Sequence, residues 1–334
     1  MKLAKHLRLN LRLNLRLFDL VPPNATTDSG LSAEMKVFYD KDLLENAAPA
    51  LVHDQFAQVR DIPKHGGNTI EFRRFEPLPK AMTPLTEGVT PDGKKLSVST
   101  LTAQVQQYGD YVPLTDRIQT EAIDNVLLET NQLLGQQAGM TLDTVTREVI
   151  NAGTSVFYAG GKTLRSAITK TDVLTVETVQ FIVAIMKGQN VPKIDGRYYA
   201  AIVHPHVIYD LKRDAEWQDV KNYAAPEDRL TGEIGMIEGV RFVETSEAKI
   251  FEGEGAEGIN VYSTLFVGQN AYGTTKTADG GLKMIVKQLG SAGSADPLDQ
   301  RGSAGWKAIK TAEILTETYM VRCESGSKFS DLNY

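Results

Sequence analysis

Only one cysteine, Cys323, occurs in 334 residues, so no intrachain disulfide is available and stability must come from packing and, in an assembly, from subunit contacts. That usage fits a reducing cytoplasm. No run approaches the roughly 20 apolar residues that a membrane-spanning helix needs, and the apolar stretch at residues 179–186 is far too short, which argues against a membrane role. A basic excess is also missing. With 36 Lys and Arg against 42 Asp and Glu, the formal charge is −6, the wrong sign for a protein whose main task is gripping phosphate backbones. What remains is an ordinary globular composition, 42% hydrophobic and 23% charged, sufficient for a substantial core and two lobes.

The usual marks of chemistry are missing too. His204-Pro205-His206 offers two imidazoles at i and i+2, but no cysteine or carboxylate cluster completes a tetrahedral site, and a strand-to-helix junction explains it better. The glycine-bearing loops at 153–161 and 290–305 do not match a phosphate-binding spacing and read as connections. Cys323 has no motif partner, no serine sits in GxSxG, and Glu244, Glu247, Glu252, Glu254 and Glu257 lack the ordered positions of a calcium loop. No catalytic, cofactor or metal residues are assigned.

The first seventeen residues stand apart. Leucines occupy every odd position from 7 to 17, while Arg8, Asn10, Arg12, Asn14 and Arg16 fill the even ones. A period of two segregates these sets only on an extended strand, giving one apolar and one basic face. Such a ribbon fits an arm added to a neighbouring subunit, with arginines free for acidic groups or nucleic acid; a flexible tail and a targeting peptide are the alternatives. Residues 21–30 are turn formers and read as a linker.

From Ser32 a helix is expected over residues 33–48, then a short helical stretch to about Val59. Residues 69–75 and 96–108 favour two strands joined by a tip with Pro77, Pro79, Pro84 and Pro91 and an Asp92-Gly93 turn. The product is a long protruding hairpin with few apolar residues in its middle, unable to build its own core. Its charges Arg73, Arg74, Glu76, Lys80, Glu87, Lys94 and Lys95 suit many weak contacts with an adjacent subunit, as do Arg8, Arg12 and Arg16 of the ribbon. Asp116 as N-cap opens a long helix to Asn151, with Gly135 and Gly139 allowing a bend. A helix at 174–187, a short helix from Pro205, and strands at 198–203, 240–244, 260–267, 282–287 and 307–322 complete an α+β chain.

Four segments now become specific together. Gly67-Asn68-Thr69-Ile70-Glu71-Phe72-Arg73-Arg74, Pro84-Leu85-Thr86-Glu87-Gly88-Val89-Thr90-Pro91 and Gln107-Tyr108-Gly109-Asp110-Tyr111, with Asp299-Gln300-Arg301-Gly302-Ser303-Ala304-Gly305-Trp306-Lys307 near the end, resemble a group of tailed-bacteriophage major capsid proteins. The likeness spans residues 31–324. It implies the HK97-like fold, with an N-terminal arm and linker at 1–30, an extended loop at 66–111, and a peripheral domain at 31–65 and 112–195 holding a spine helix at 116–151. An axial domain at 196–267 and a return to the peripheral domain at 268–334 follow.

The implied function is self-assembly into hexamers and pentamers of an icosahedral virion shell around double-stranded DNA, formed in the bacterial host cytoplasm without enzymatic activity. Portal and scaffolding proteins are expected partners, a decoration protein is an option, and a mildly acidic inner wall would touch packaged DNA only weakly. The alternative of the same fold is the shell of an encapsulin-type bacterial nanocompartment enclosing an enzyme cargo.

Overall fold

The computed structural model describes residues 33–47, 51–61, 68–75, 78–85, 87–90, 93–121, 126–214, 217, 233–276, 281–291 and 296–329. The N-terminal ribbon, with Arg8, Arg12 and Arg16, and Glu76 of the hairpin lie outside them. The helices are α1 (Ala33–Ala47), α2 (Asp116–Glu121), α3 (Val126–Asn151), α4 (Val176–Gly188) and α5 (Pro205–Leu211). The strands of the first half are β1 (Gln58–Arg60), β2 (Thr69–Phe75), β3 (Val98–Gln104), β4 (Gln106–Thr115), β5 (Val156–Tyr158) and β6 (Tyr199–Val203). Then come β7 (Glu233–Ile237), β8 (Val240–Glu244), β9 (Ile250–Phe251), β10 (Val261–Val267) and β11 (Tyr272–Thr275). The last are β12 (Leu282–Lys287), β13 (Arg301–Lys310), β14 (Ala312–Ile314) and β15 (Met320–Ser325). No helix among the described residues is long and apolar enough to cross a membrane.

The largest sheet runs in the order β5-β15-β10-β6-β8-β7, with β9 beside β10. Its central strands β6 and β10 are buried at every position. Both faces are covered, so these strands read as nearly unbroken apolar runs rather than alternating ones. Tyr199, Ala201 and Val203 pack with Phe242, Phe266 and the α4 residues Val179, Ile182 and Met186. Ala200 and Ile202 face the other way, onto Leu265, Val267, Ile150, Phe56 and Tyr272. α4 starts cleanly because Thr175 accepts the Thr178 N–H, satisfying one orphan donor of the first turn.

A second body forms where α1 and α3 lie on the three-stranded sheet β12-β13-β4. Trp306, Ala304 and Ala308 of β13 share this core with Leu43, Leu134, Ala138 and Leu142. Gly135 lies within α3, which runs unbroken from Val126 to Asn151. A Cβ there would lie 2.8 Å from Asn46 Cβ and 3.0 Å from the Leu43 carbonyl, so the glycine permits close approach of α1.

Four local expectations change. Residues 58–60 form a strand rather than helix, drawn into parallel pairing with β11. The capping hydroxyl for α2 is Thr115, which accepts the Ile118 N–H at 3.4 Å, one residue before the expected cap. Most important, the strand expected at 96–108 divides at Val105. Among the described residues β3 pairs only with β2, whereas β4 pairs along its whole length with β13, from Gln106↔Lys310 to Thr115↔Arg301. The expected 307–322 strand likewise divides, into β13, β14 and β15 of three different sheets, and β13 begins at Arg301 beside β4.

Candidate assembly surface

The hairpin is rooted on the body through one face of β2 and β3. Ile70, Phe72 and Ala103 are buried there, with Val105 and Leu315 packed against them. Gly273 makes this possible, because a Cβ at that position would collide with the Phe72 ring at 2.4 Å. The opposite face is polar, presenting Glu71, Arg73, Thr100 and Thr102 in two registered cross-strand pairs.

The sequence-predicted charges fall into two groups. Arg74 is tied back to the body, its Nη1 donating to Thr316 Oγ1 at 3.0 Å. Arg73 meets Glu71 at 3.6 Å with both side chains more than half exposed, a pair worth only a few tenths of a kcal/mol. Lys80, Glu87, Lys94 and Lys95 are exposed. The structure thus places Arg74 at the root, while Arg73, Lys80, Glu87, Lys94 and Lys95 are exposed.

Sequence reasoning missed the apolar side chains between those charges. Leu78, Met82, Leu85, Val89 and Leu96 all stand on the hairpin with more than half their surface open, Met82 at 80% and Leu85 at 77%. Single exposed apolar residues are normal, but five within nineteen residues of one protrusion make it a candidate contact surface. The signal was present in composition, without a period to reveal it.

Beneath the root lies a buried polar junction that the sequence did not disclose. Asp143 of α3 receives the His53 backbone N–H at 2.8 Å through Oδ1 and meets His53 Nδ1 at 2.6 Å through Oδ2, both side chains fully enclosed. The neighbouring Asp54 accepts from Thr146 Oγ1 at 2.8 Å and pairs with the buried Lys310. Tyr272 donates its hydroxyl to the His53 carbonyl, and burial raises its pKa. Buried charges are tolerated only when paired in this way, so the junction fixes α3, β11 and β13 against the segment leading into the hairpin.

The other candidates are structural. His204 caps α5, its Nδ1 accepting the His206 N–H at 3.1 Å, and burial depresses its pKa to about 4. His206 Nδ1 lies 2.8 Å from the Tyr262 hydroxyl. Cys323 is buried, which pushes its thiol pKa up and away from nucleophilic use. No group of three or more potential metal ligands occurs among the described residues. Glu254 of the acidic loop pairs with Arg165, which also grips Glu324 at 2.7 Å.

Comparison with known proteins follows this geometry. The model of a family described as phage capsid protein matches residues 98–308, from the first residue of β3 to within β13. No curated protein sequence matches. The capsid of Ralstonia phage GP4 superposes with a TM-score of 0.65 at 14% identity, over 83% of this chain and 87% of that one. The capsid of cyanophage Pam1 gives 0.62 at 15% identity over 84% and 92%, and that of cyanophage P-SCSP1u gives 0.60 at 15% over 83% and 89%. At such identities the structural likeness establishes the fold.

Proposed function

The chain belongs to the phage capsid protein family and is a major capsid protein of the HK97-like α+β fold, and from that premise we propose that each copy lays its hairpin on a neighbour to build hexamers and pentamers. Residues 66–111 act as the extended loop, although 106–111 are already paired into the body sheet. Residues 31–65 and 112–195 are read as the peripheral domain, 196–267 as the axial domain, and 268–334 as the return. The observation that carries this reading is the hairpin's outward set of Leu78, Met82, Leu85, Val89 and Leu96, apolar surface that a monomer leaves in water. Arg73, Lys80, Glu87, Lys94 and Lys95 then act as a polar rim that sets register more than affinity. Glu76, Arg8, Arg12 and Arg16 are assigned to the same contacts.

Around a ring, one modest contact set recurs in every copy, so weak pairings add. The shell encloses double-stranded DNA, and an overall charge of −6 suits a wall to which packaged DNA does not adhere. Assembly takes place in the host cytoplasm with portal and scaffolding proteins, and a decoration protein is compatible with the surface. The subunit's work is mechanical, without catalysis, cofactor or membrane. A nanocompartment shell with enzyme cargo is not favoured, because the family match and the similar structures are of phage capsids.

Electron microscopy of the purified chain tests the proposal. Rings or closed shells are expected. A chain that stays monomeric under all assembly conditions, with a scaffold protein added, overturns it; shells purified with an enzyme inside and no DNA move it to the compartment.

A further inference from the structure

The sheet β12-β13-β4 carries α1 and α3 on one side. Its even-numbered positions Leu282, Ala304, Trp306 and Ala308 enter the core beneath those helices. Strand alternation sends the odd-numbered positions to the opposite side, where Lys283, Ile285, Lys287, Lys307 and Tyr111 are exposed. The odd-numbered positions of 107–115, 283–287 and 301–309 include no Asp or Glu. None of the three lysines makes an ion pair among the described residues. In a chain of formal charge −6, this face is purely cationic.

The registers of the three strands set its side chains in rows. The middle row is Ile285, Gly305 and Tyr111. One flanking row is Lys283, Lys307 and Gly109, and the other is Lys287, Ser303 and Pro113. Three choices here lower the stability of an isolated subunit. Lys283 and Lys307 stand directly opposite each other, and like charges so placed repel. Gly109 and Gly305 leave bare backbone inside two strands, which weakens them and marks a place where another chain or ligand can approach closely. A Cβ on Gly305 would lie 2.6 Å from Tyr111 Cβ, so the neighbouring strand also demands this glycine; its outward consequence is a floor without side chains. Ile285 and Tyr111, 42% and 68% exposed, leave apolar surface in water on either side of that floor. They border a shallow depression of about 500 Å³, with Lys307 at its rim.

We propose that this face docks an acidic protein partner. An apolar or aromatic side chain of the partner enters the gap over Gly305, between Ile285 and Tyr111. Its carboxylates meet Lys283 and Lys307 on one side and Lys287 on the other, each row roughly 7 Å from the middle one. An apolar centre with a charged rim is the anatomy of a protein–protein contact. A nucleic-acid strand fits less well, because successive bases need successive aromatic platforms and Tyr111 is the only aromatic residue at those odd-numbered positions. Each subunit carries the face whether or not it is assembled, so the inference goes beyond the shell reading and does not depend on it.

Fluorescence anisotropy on the full-length chain, kept below its assembly threshold, decides it. Two labelled probes are used, a peptide of glutamates around a central phenylalanine and an oligothymidylate of the same charge. The peptide is expected to bind more tightly than the oligonucleotide. Lys283→Glu with Lys287→Glu should weaken it about tenfold or more, and Tyr111→Ser several-fold. Lys187→Glu with Arg197→Glu, the same charge change at exposed positions elsewhere, should leave it nearly unchanged. Lys307→Glu alone gives a complementary readout: peptide binding falls while the thermal midpoint of the subunit holds or rises, because a like-charge pair becomes an ion pair. Tighter binding of the oligonucleotide, no peptide binding up to millimolar concentration, or equal weakening by the Lys187 and Arg197 pair overturns the inference. So does a fall of several degrees in the Lys307→Glu midpoint, which makes that lysine a structural residue. Shells that form normally from a chain that ignores the peptide leave the shell reading intact, and peptide binding by a chain that never forms shells upholds the inference alone.

Discussion

β3 and β10 are each seven residues long, and each contains Ser-Thr-Leu. In β10 the tripeptide is Ser263-Thr264-Leu265, none more than 2% exposed, between β6 and β15. In β3 it is Ser99-Thr100-Leu101, exposed throughout. The same local chemistry supports a strand in both places, so propensity does not separate them. What differs is the number of covered faces and paired edges: β10 finds its partners inside the chain, and β3 has a neighbour on one side only. The seven-stranded sheet is therefore a finished object, whereas the hairpin leaves one flank of β3 open among the described residues.

The strongest way to break this contrast is to remove the unfinished half. Deleting residues 77–95 is expected to abolish shells while the thermal midpoint of the subunit moves by no more than a few degrees, read by electron microscopy and calorimetry together; shells in normal yield remove the hairpin from the mechanism. The finished half should behave oppositely. Phe266→Ala opens a cavity among Phe242, Ile182 and Tyr199, and a loss of about 3–5 kcal/mol is expected in chemical denaturation. A loss under 1 kcal/mol contradicts the packing described.

A third test sharpens the contrast through pH. His204 titrates at about 4 in the folded chain against 6.5 when unfolded, because burial disfavours its charged form. The unfolded state binds the extra proton between those values, so this stabilisation is complete above pH 6.5, falls as pH drops, and is gone below about 4. After discounting for partial solvent screening the loss is about 1–2 kcal/mol. His204→Asn keeps a capping acceptor for α5 without the titration, and should flatten that part of the stability–pH curve; an unchanged slope assigns it to another group. The smallest effect on the monomer belongs to Leu85→Ser with Val89→Ser. Stability should stay within about 0.5 kcal/mol of the parent, since neither side chain is buried, while the protein concentration needed for assembly rises several-fold. Light scattering measures that threshold.

Much of this was legible wherever one stretch of sequence decides its own structure. The bounds expected for β8 and β12 coincide with the strands found, and the helix expected at 174–187 is α4, Val176–Gly188. The hairpin was readable because prolines and a turn separate two runs of strand formers. Where partners lie far away the sequence was silent. Residues 98–115 are strand-forming almost throughout, and only β13, about two hundred positions later, shows that β4 belongs to the body. Nothing in the sequence around His53 announces its partner Asp143, ninety residues on. The outward apolar set escaped notice because prolines and lysines break any spacing between Leu78 and Leu96. Charged residues were easier to see than the greasy ones between them.

The position of β15 bears on how the chain is made. β5 joins the large sheet only through β15, with Arg322 donating its N–H to the Ser155 carbonyl at 2.9 Å, and β15 also closes the flank of β10. A ribosome adding roughly 5–20 residues per second delivers β15 about 10–30 seconds after β5. Throughout that interval the flank of β10 facing β15 and the whole of β5 wait without their partner. A product cut short before residue 320 never gains it, and so carries a permanent open flank that proteases and chaperones can read. Pairing of β5 and of this flank of β10 is thus completed only once residues 320–325 have emerged.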